Sequence, residues 1–174
     1  MLFYHFSEDP NIEVFHPIDG KVWAIDEEHA VNYYFPRDCP RIIFSKSEHM
    51  TEDDLSRFFG HTSANTIIAV ESRWFEVIRH ATLYKYTFHE EGFELLDETA
   101  GYYISSKTIE PINVEPMQNL LDHIVQKGVE LRITPNLYPL RDAIMASSID
   151  DFSIIRFRNA RNNILKPTDK EEFE

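Results

Sequence analysis

His5 and Ser7 stand two residues apart in the run Leu2-Phe3-Tyr4-His5-Phe6-Ser7. In an extended strand alternate side chains share a face, so the imidazole and the hydroxyl project together while Tyr4 and Phe6 point the other way. A histidine and a hydroxyl held side by side can donate to or accept from a small polar ligand. Val22-Trp23-Ala24-Ile25-Asp26 follows, carrying a tryptophan into a helix start, with Tyr33 and Tyr34 shortly after. Aromatic faces of this kind stack on flat rings. These residues predict a binding cleft.

Other chemistries lack their residues. The histidines at 5, 16, 29, 49, 61, 80, 89 and 123 show no i, i+4 pair on an expected helix, and no His-Glu-x-x-His or paired-cysteine motif occurs. No metal is therefore expected. Five glycines are scattered singly, so neither a phosphate-cradling loop nor a dinucleotide fingerprint is present, and the Gly-x-Ser-x-Gly turn is absent. Cys39 is the lone cysteine, which rules out an internal disulfide and suits a reducing cytoplasm. It lies between Pro36 and Pro40, near Arg37. A cation can activate a thiol, whereas packing as a small hydrophobe is the commoner role.

The elements that must position these residues follow from local pattern. Residues 2–6 and 22–25 read as strands joined through a turn at Ile18-Asp19-Gly20-Lys21. Asp26 with Glu27 and Glu28 predicts a helix start, running to about Phe35 before Pro36. Residues 41–44 form a short strand, and Thr51 caps a helix that stops at Gly60. A buried run at 67–70 precedes a helix over 71–80. Residues 82–88 alternate, and Glu90-Glu91-Gly92 predicts a hairpin to a strand over 93–97. Strands over 101–105 and 108–114 complete a meander. Pro116 opens a helix in which Met117, Leu120, Leu121, Ile124 and Val125 keep one face, closed by Gly128. A strand over 129–133 and a helix from Pro139 to Ala146 come next. Residues 152–158 fit either a strand or a helix. The expected class is α+β: a single domain over 1–166 with a mostly antiparallel sheet and flanking helices, and a charged tail over 167–174.

Charge narrows the partners. The formal net charge is −13, which repels phosphate backbones and disfavours nucleic acid. No apolar run approaches the roughly 18 residues of a membrane span, and the N-terminus lacks a leader pattern. A cytoplasmic protein without a membrane partner is expected. Residues 126–168 nevertheless hold seven Lys/Arg against four Asp/Glu. Arg156 and Arg158 would reach one carboxylate or phosphate from a shared face if residues 153–158 are extended.

Tyr4-His5-Phe6-Ser7 resembles the opening strand of the ADP-ribosyltransferase-like fold, and Val22–Asp26 is similar to its second element. Residues 83–88, Phe93, 101–105 and Thr108-Ile109-Glu110-Pro111 resemble its later strands. The whole chain more closely resembles an uncharacterised family of small bacillus-type proteins, through Val22–Asp26, Pro36–Pro40, Pro135–Leu140 and Phe152–Ala160. The broader resemblance implies a transferase acting on NAD, or a pseudoenzyme that binds NAD or ADP-ribose. It gives His5 and Ser7 to a ribose hydroxyl, an aromatic from Tyr33 or Tyr34 to nicotinamide, and Trp23 to the same pocket. Glu110, and next Glu115, would be the carboxylate opposing positive charge on the ribose. A different class stays open beside it: a non-enzymatic binding protein whose C-terminal arginines hold an anionic ligand or acidic partner. Neither reading specifies an oligomeric state.

Overall fold

The structure is a computed structural model and describes residues 1–161. Its class is α+β, and helices flank two sheets that are antiparallel at every pairing but one. The chain forms two compact units, one from Met1–Arg37 with Glu76–Gly128, the other from Asp38–Phe75 with the chain from Val129 onward. The tail expected over 167–174 lies outside the described residues.

The first unit holds a six-stranded sheet. Its strands are β1 (Leu2–Ser7), β2 (Val22–Ile25), β5 (Leu83–His89), β6 (Glu94–Asp97), β7 (Tyr102–Ser105) and β8 (Asn113–Met117). They run in the order β6-β7-β2-β1-β5-β8. Asp19 and Gly20 both take positive φ, 52° and 78°, and Ile18 and Lys21 exchange backbone hydrogen bonds across them. That conformation matches the right-handed twist of adjoining strands, and glycine adopts it without a Cβ clash. One sheet face carries Phe3, Val22, Ala24, Tyr86 and Phe88, packed with Phe15. Phe3 stacks on Tyr103 with centroids 3.9 Å apart.

The second unit holds a four-stranded sheet of β3 (Arg41–Ser45), β4 (Thr66–Glu71), β9 (Glu130–Thr134) and β10 (Phe152–Ile155), in the order β10-β3-β4-β9. Only β4 and β9 run parallel. Helices α1 (Glu52–Phe59) and α4 (Tyr138–Met145) contribute Phe58, Phe59 and Ile144 to a core with Ile42, Phe44 and Ile67. Thr51 caps α1 as its sequence predicts, its hydroxyl accepting the Asp54 N–H at 3.2 Å. At the end of β4, Glu71 is fully buried. Its carboxylate accepts the Leu137 and Arg161 backbone N–H groups and the Arg73 Nε–H.

Several expectations are corrected. The hairpin between 82–88 and 93–97 does not form: β5 lies between β1 and β8, while β6 pairs with β7. Phe88 and Phe93 still touch, so the link is made by side chains rather than by a ladder. The helix expected over 26–35 is a turn followed by a 3-10 segment, Ala30–Tyr33. Residues 71–80 divide into a 3-10 turn at Ser72–Trp74 and α2 (Phe75–His80). The meander's last strand is Asn113–Met117 rather than 108–114. Pro116 is therefore a strand residue, tolerated because β8 is an edge. Asn119, at φ 54°, then separates β8 from α3 (Leu120–Gln126). Leu120 and Ile124 are fully buried, while Leu121 is half-buried and Val125 is 51% exposed.

Candidate functional site

The other face of the six-stranded sheet forms a cleft of about 210 Å³, lined by residues including Tyr4, Phe6, Trp23, Ile25, Tyr33 and Tyr102, with His5 at its border. The register explains the gathering. Tyr4 pairs with Ile25, and Ile25 with Tyr102, so these three share a face across β1, β2 and β7. Only Tyr4 and Ile25 are in register between β1 and β2, and beyond them the strands part. Trp23 meets Tyr102 edge-on with centroids 5.7 Å apart. The Tyr33 and Tyr102 hydroxyls share a hydrogen bond of 2.6 Å. Such a cleft presents flat apolar walls with phenolic polarity at one end.

His5 and Ser7 do share a face, but it is the face that carries Phe3. The His5 ring packs edge-on against Phe15, with centroids 5.0 Å apart. The expected polar side of β1 is thus continuous with core, since aromatic residues occupy both faces of the strand. His5 Nδ1 donates to the Trp23 carbonyl at 3.2 Å where the two strands separate. A carbonyl can only accept, which assigns the proton to Nδ1. Burial pushes the His5 imidazole below its usual range, against the Trp23 carbonyl, which favours the charged form. Ser7 serves the local turn: its hydroxyl accepts the Asp9 N–H at 3.0 Å. Tyr34 is buried, with its ring against Phe6 and His123. Tyr33, not Tyr34, is the one of the pair that reaches the cleft.

A charged network adjoins Tyr4. Glu27 acts on its hydroxyl, and Lys127 Nζ donates to Glu27 at 2.5 Å. Burial and Glu27 together raise the Tyr4 phenol above its usual range. Burial alone would push the Glu27 carboxyl up, but Lys127 and Tyr4 outweigh it and hold it low. Lys85 lies over the Tyr4 ring, 5.3 Å from its centroid, and pairs with Glu115 at 2.7 Å. Glu115 is therefore an ion-paired edge residue. Glu110 is exposed in the connection before β8. Neither expected carboxylate lines the cleft, and Glu27 is the acid whose charge acts on one of its walls, Tyr4.

Asp26 and His29 form a second polar pair, at the end of β2. Asp26 Oδ1 accepts both the His29 backbone N–H and its Nδ1–H, each at 2.8 Å. The Asp26 N–H donates to the Gly101 carbonyl at 3.1 Å. Gly101 has φ 69°, and a Cβ there would stand 2.3 Å from His29 Nδ1 and 2.7 Å from both Asp26 oxygens. The sequence signal for this pair was the i, i+3 spacing of Asp26 and His29, which reads equally as a helix cap.

Elsewhere the chemistry is quiet. Arg156 takes φ 53° after β10 ends at Ile155, and Arg158 lies in a 3-10 turn, Phe157–Asn159. The extended backbone needed to align the two guanidiniums is absent. Burial pushes the Cys39 thiol up to about 12, leaving it packed and unreactive. Ser47 and His49 both bond to Asp150. The carboxylate thus sits between them, whereas a serine nucleophile needs the histidine there. Among the described residues no group of three or more His, Cys, Asp or Glu could hold a metal, and no helix is long and apolar enough to cross a membrane.

Residues 4–160 match the model of a family of unknown function (DUF6886), and the chain belongs to that family. The match contains β2 and every residue that lines the cleft, and it enters β1 at Tyr4. Comparison with curated proteins and with solved structures gives no match.

Proposed function

We propose that this member of a family of unknown function binds a small molecule through a flat heteroaromatic ring, held in the aromatic cleft of the six-stranded sheet. NAD or ADP-ribose is the ligand class that the ADP-ribosyltransferase-like resemblance of β1 and β2 suggests. One observation carries the reading: both segments behind that resemblance contribute walls to the same cleft, Tyr4 and Phe6 from one, Trp23 and Ile25 from the other. Ligand pockets typically measure about 300–1,000 Å³. At about 210 Å³ this cleft suits one ring, with the rest of a dinucleotide lying outside it. Binding is favoured over turnover, because Glu110 and Glu115 stand away from the cleft lining.

Trp23 is 43% exposed and supplies the assay. ADP-ribose, NAD and nicotinamide should quench its fluorescence saturably, with Trp23→Phe as the control for the second tryptophan, Trp74. Absence of quenching by all three at millimolar concentration removes the proposal.

A further inference from the structure

Two walls of the cleft meet by their polar tips. Tyr33 and Tyr102 both line it, and their hydroxyls share the hydrogen bond of 2.6 Å. Tyr102 is fixed by its strand: it stands in register with Ile25, another wall, and its ring meets that of Trp23 edge-on. Tyr33 comes instead from the 3-10 segment Ala30–Tyr33. The bond between them gives an otherwise aromatic and aliphatic cleft a group that can read the edge of a ring.

The direction of that bond follows from phenol chemistry. Each phenol carries one proton and also accepts at its oxygen. Among the described residues Tyr102 has no hydrogen-bond partner but Tyr33, so its hydroxyl keeps one position for a ligand. A phenol oxygen shares its lone pairs with the ring and accepts weakly, whereas an O–H that already accepts a hydrogen bond donates more strongly. The favoured arrangement has Tyr33 donating to Tyr102 and Tyr102 donating to the ligand. The ring must then offer an acceptor at the edge that enters first. A cleft of about 210 Å³ leaves the ligand's attachment outside, so the acceptor lies opposite that attachment. Adenine has this pattern, with N1 across the base from the sugar-bearing N9. The ring of a nicotinamide nucleotide does not, because its nitrogen bears the sugar and only a C–H stands opposite.

We infer that Tyr102, oriented by Tyr33, is the specificity contact of the cleft, donating its hydroxyl proton to N1 of an adenine ring, so that the ligand class is an adenine nucleoside or nucleotide. This rests on the reading of the cleft as a ring site. Tyr33 is a positioning residue, since it acts on the base through the Tyr102 hydroxyl.

Trp23 quenching should be titrated with adenosine, 1-deazaadenosine and 3-deazaadenosine, in which a single ring nitrogen is replaced by C–H without a change of shape. Wild-type protein is expected to bind adenosine and 3-deazaadenosine alike, and 1-deazaadenosine about tenfold more weakly, the scale of one well-placed hydrogen bond. Tyr102→Phe should erase that difference, and Tyr33→Phe, which leaves the Tyr102 hydroxyl without its donor, should narrow it. Equal binding of adenosine and 1-deazaadenosine by wild type leaves the ring site standing and overturns the contact. Quenching by nicotinamide with none by adenosine does the same. No quenching by nicotinamide, NAD, ADP-ribose or any of the adenosines overturns both. Independently of any variant, NMR of the wild type labelled at tyrosine Cζ should show the Tyr102 resonance displaced further by saturating adenosine than by saturating 1-deazaadenosine, while that of Tyr138 stays in place. Equal displacement by the two probes overturns the contact.

Discussion

The hydroxyls of Tyr33 and Tyr102 meet at 2.6 Å although 69 residues separate them in the chain. One arises from the 3-10 segment after β2 and the other from β7, the strand next to the exposed edge strand β6. Removing one hydroxyl should cost about 0.5–1.5 kcal/mol, the usual net worth of such a bond. Tyr33→Phe and Tyr102→Phe, compared by urea unfolding, should each fall in that range. Because Trp23 touches Tyr102, the Tyr102 variant should also shift tryptophan emission. Unchanged stability and emission in both variants would show that the two rings do not meet in solution.

Gly101 and Gly20 make a controlled pair, since both have positive φ, 69° and 78°. An alanine at Gly20 would meet nothing within 4 Å, whereas one at Gly101 would strike His29 and Asp26. Gly20→Ala should cost roughly 1–2 kcal/mol for the left-handed backbone alone. Gly101→Ala should cost clearly more and release the His29 ring. Equal losses in thermal or urea unfolding would remove the close approach.

Helix α3 offers a register test. Leu120→Ala should lose about 2–5 kcal/mol, as buried leucines do. Val125→Ala, at a position 51% exposed, should stay within about 0.5 kcal/mol. Reversal of that order in chemical denaturation would overturn this packing of α3.

Two groups set the acid side of the stability curve. Burial lowers the His5 pKa, so the unfolded chain binds its proton more readily. Its contribution is complete above the ordinary imidazole pKa near 6.5 and is lost as pH falls through the folded value. Asp54 is held low by the Ser148 hydroxyl and N–H and the Thr51 hydroxyl. Its contribution persists above the usual carboxylate pKa and is lost at lower pH, as the folded value is crossed. Stability measured from pH 7 to 3 should decline in two stages. His5→Gln should flatten the upper stage, and a curve unchanged by it would remove that assignment.

Cys39 is fully buried, and its thiol is pushed up to about 12. A thiol reagent at pH 8 should label native protein only slowly and denatured protein at once. Rapid labelling in the native state would contradict that burial.

Sequence pattern by itself determined the strongly local features. The α+β class, the strands β1 and β2, the Asp19-Gly20 turn, the Thr51 cap and the proline at the start of α4 each depend on a few neighbouring residues, and each is present. The aromatic and histidine content of residues 4–34 was equally visible. Tertiary structure decided everything that needed a partner. An alternating strand at 83–89 carries no mark of whether its neighbour is β6 or β1, because backbone ladders are identical in chemistry whichever chain segment supplies them. Pro116 could open a helix or sit on an edge, and only the position of β8 at the rim settled it. Tyr102 joined Trp23 and Tyr33 because β7 lies beside β2, a pairing made across some eighty residues. The same pairing brought Gly101 against Asp26 and His29, where three residues unremarkable in the linear chain leave space for one oriented imidazole.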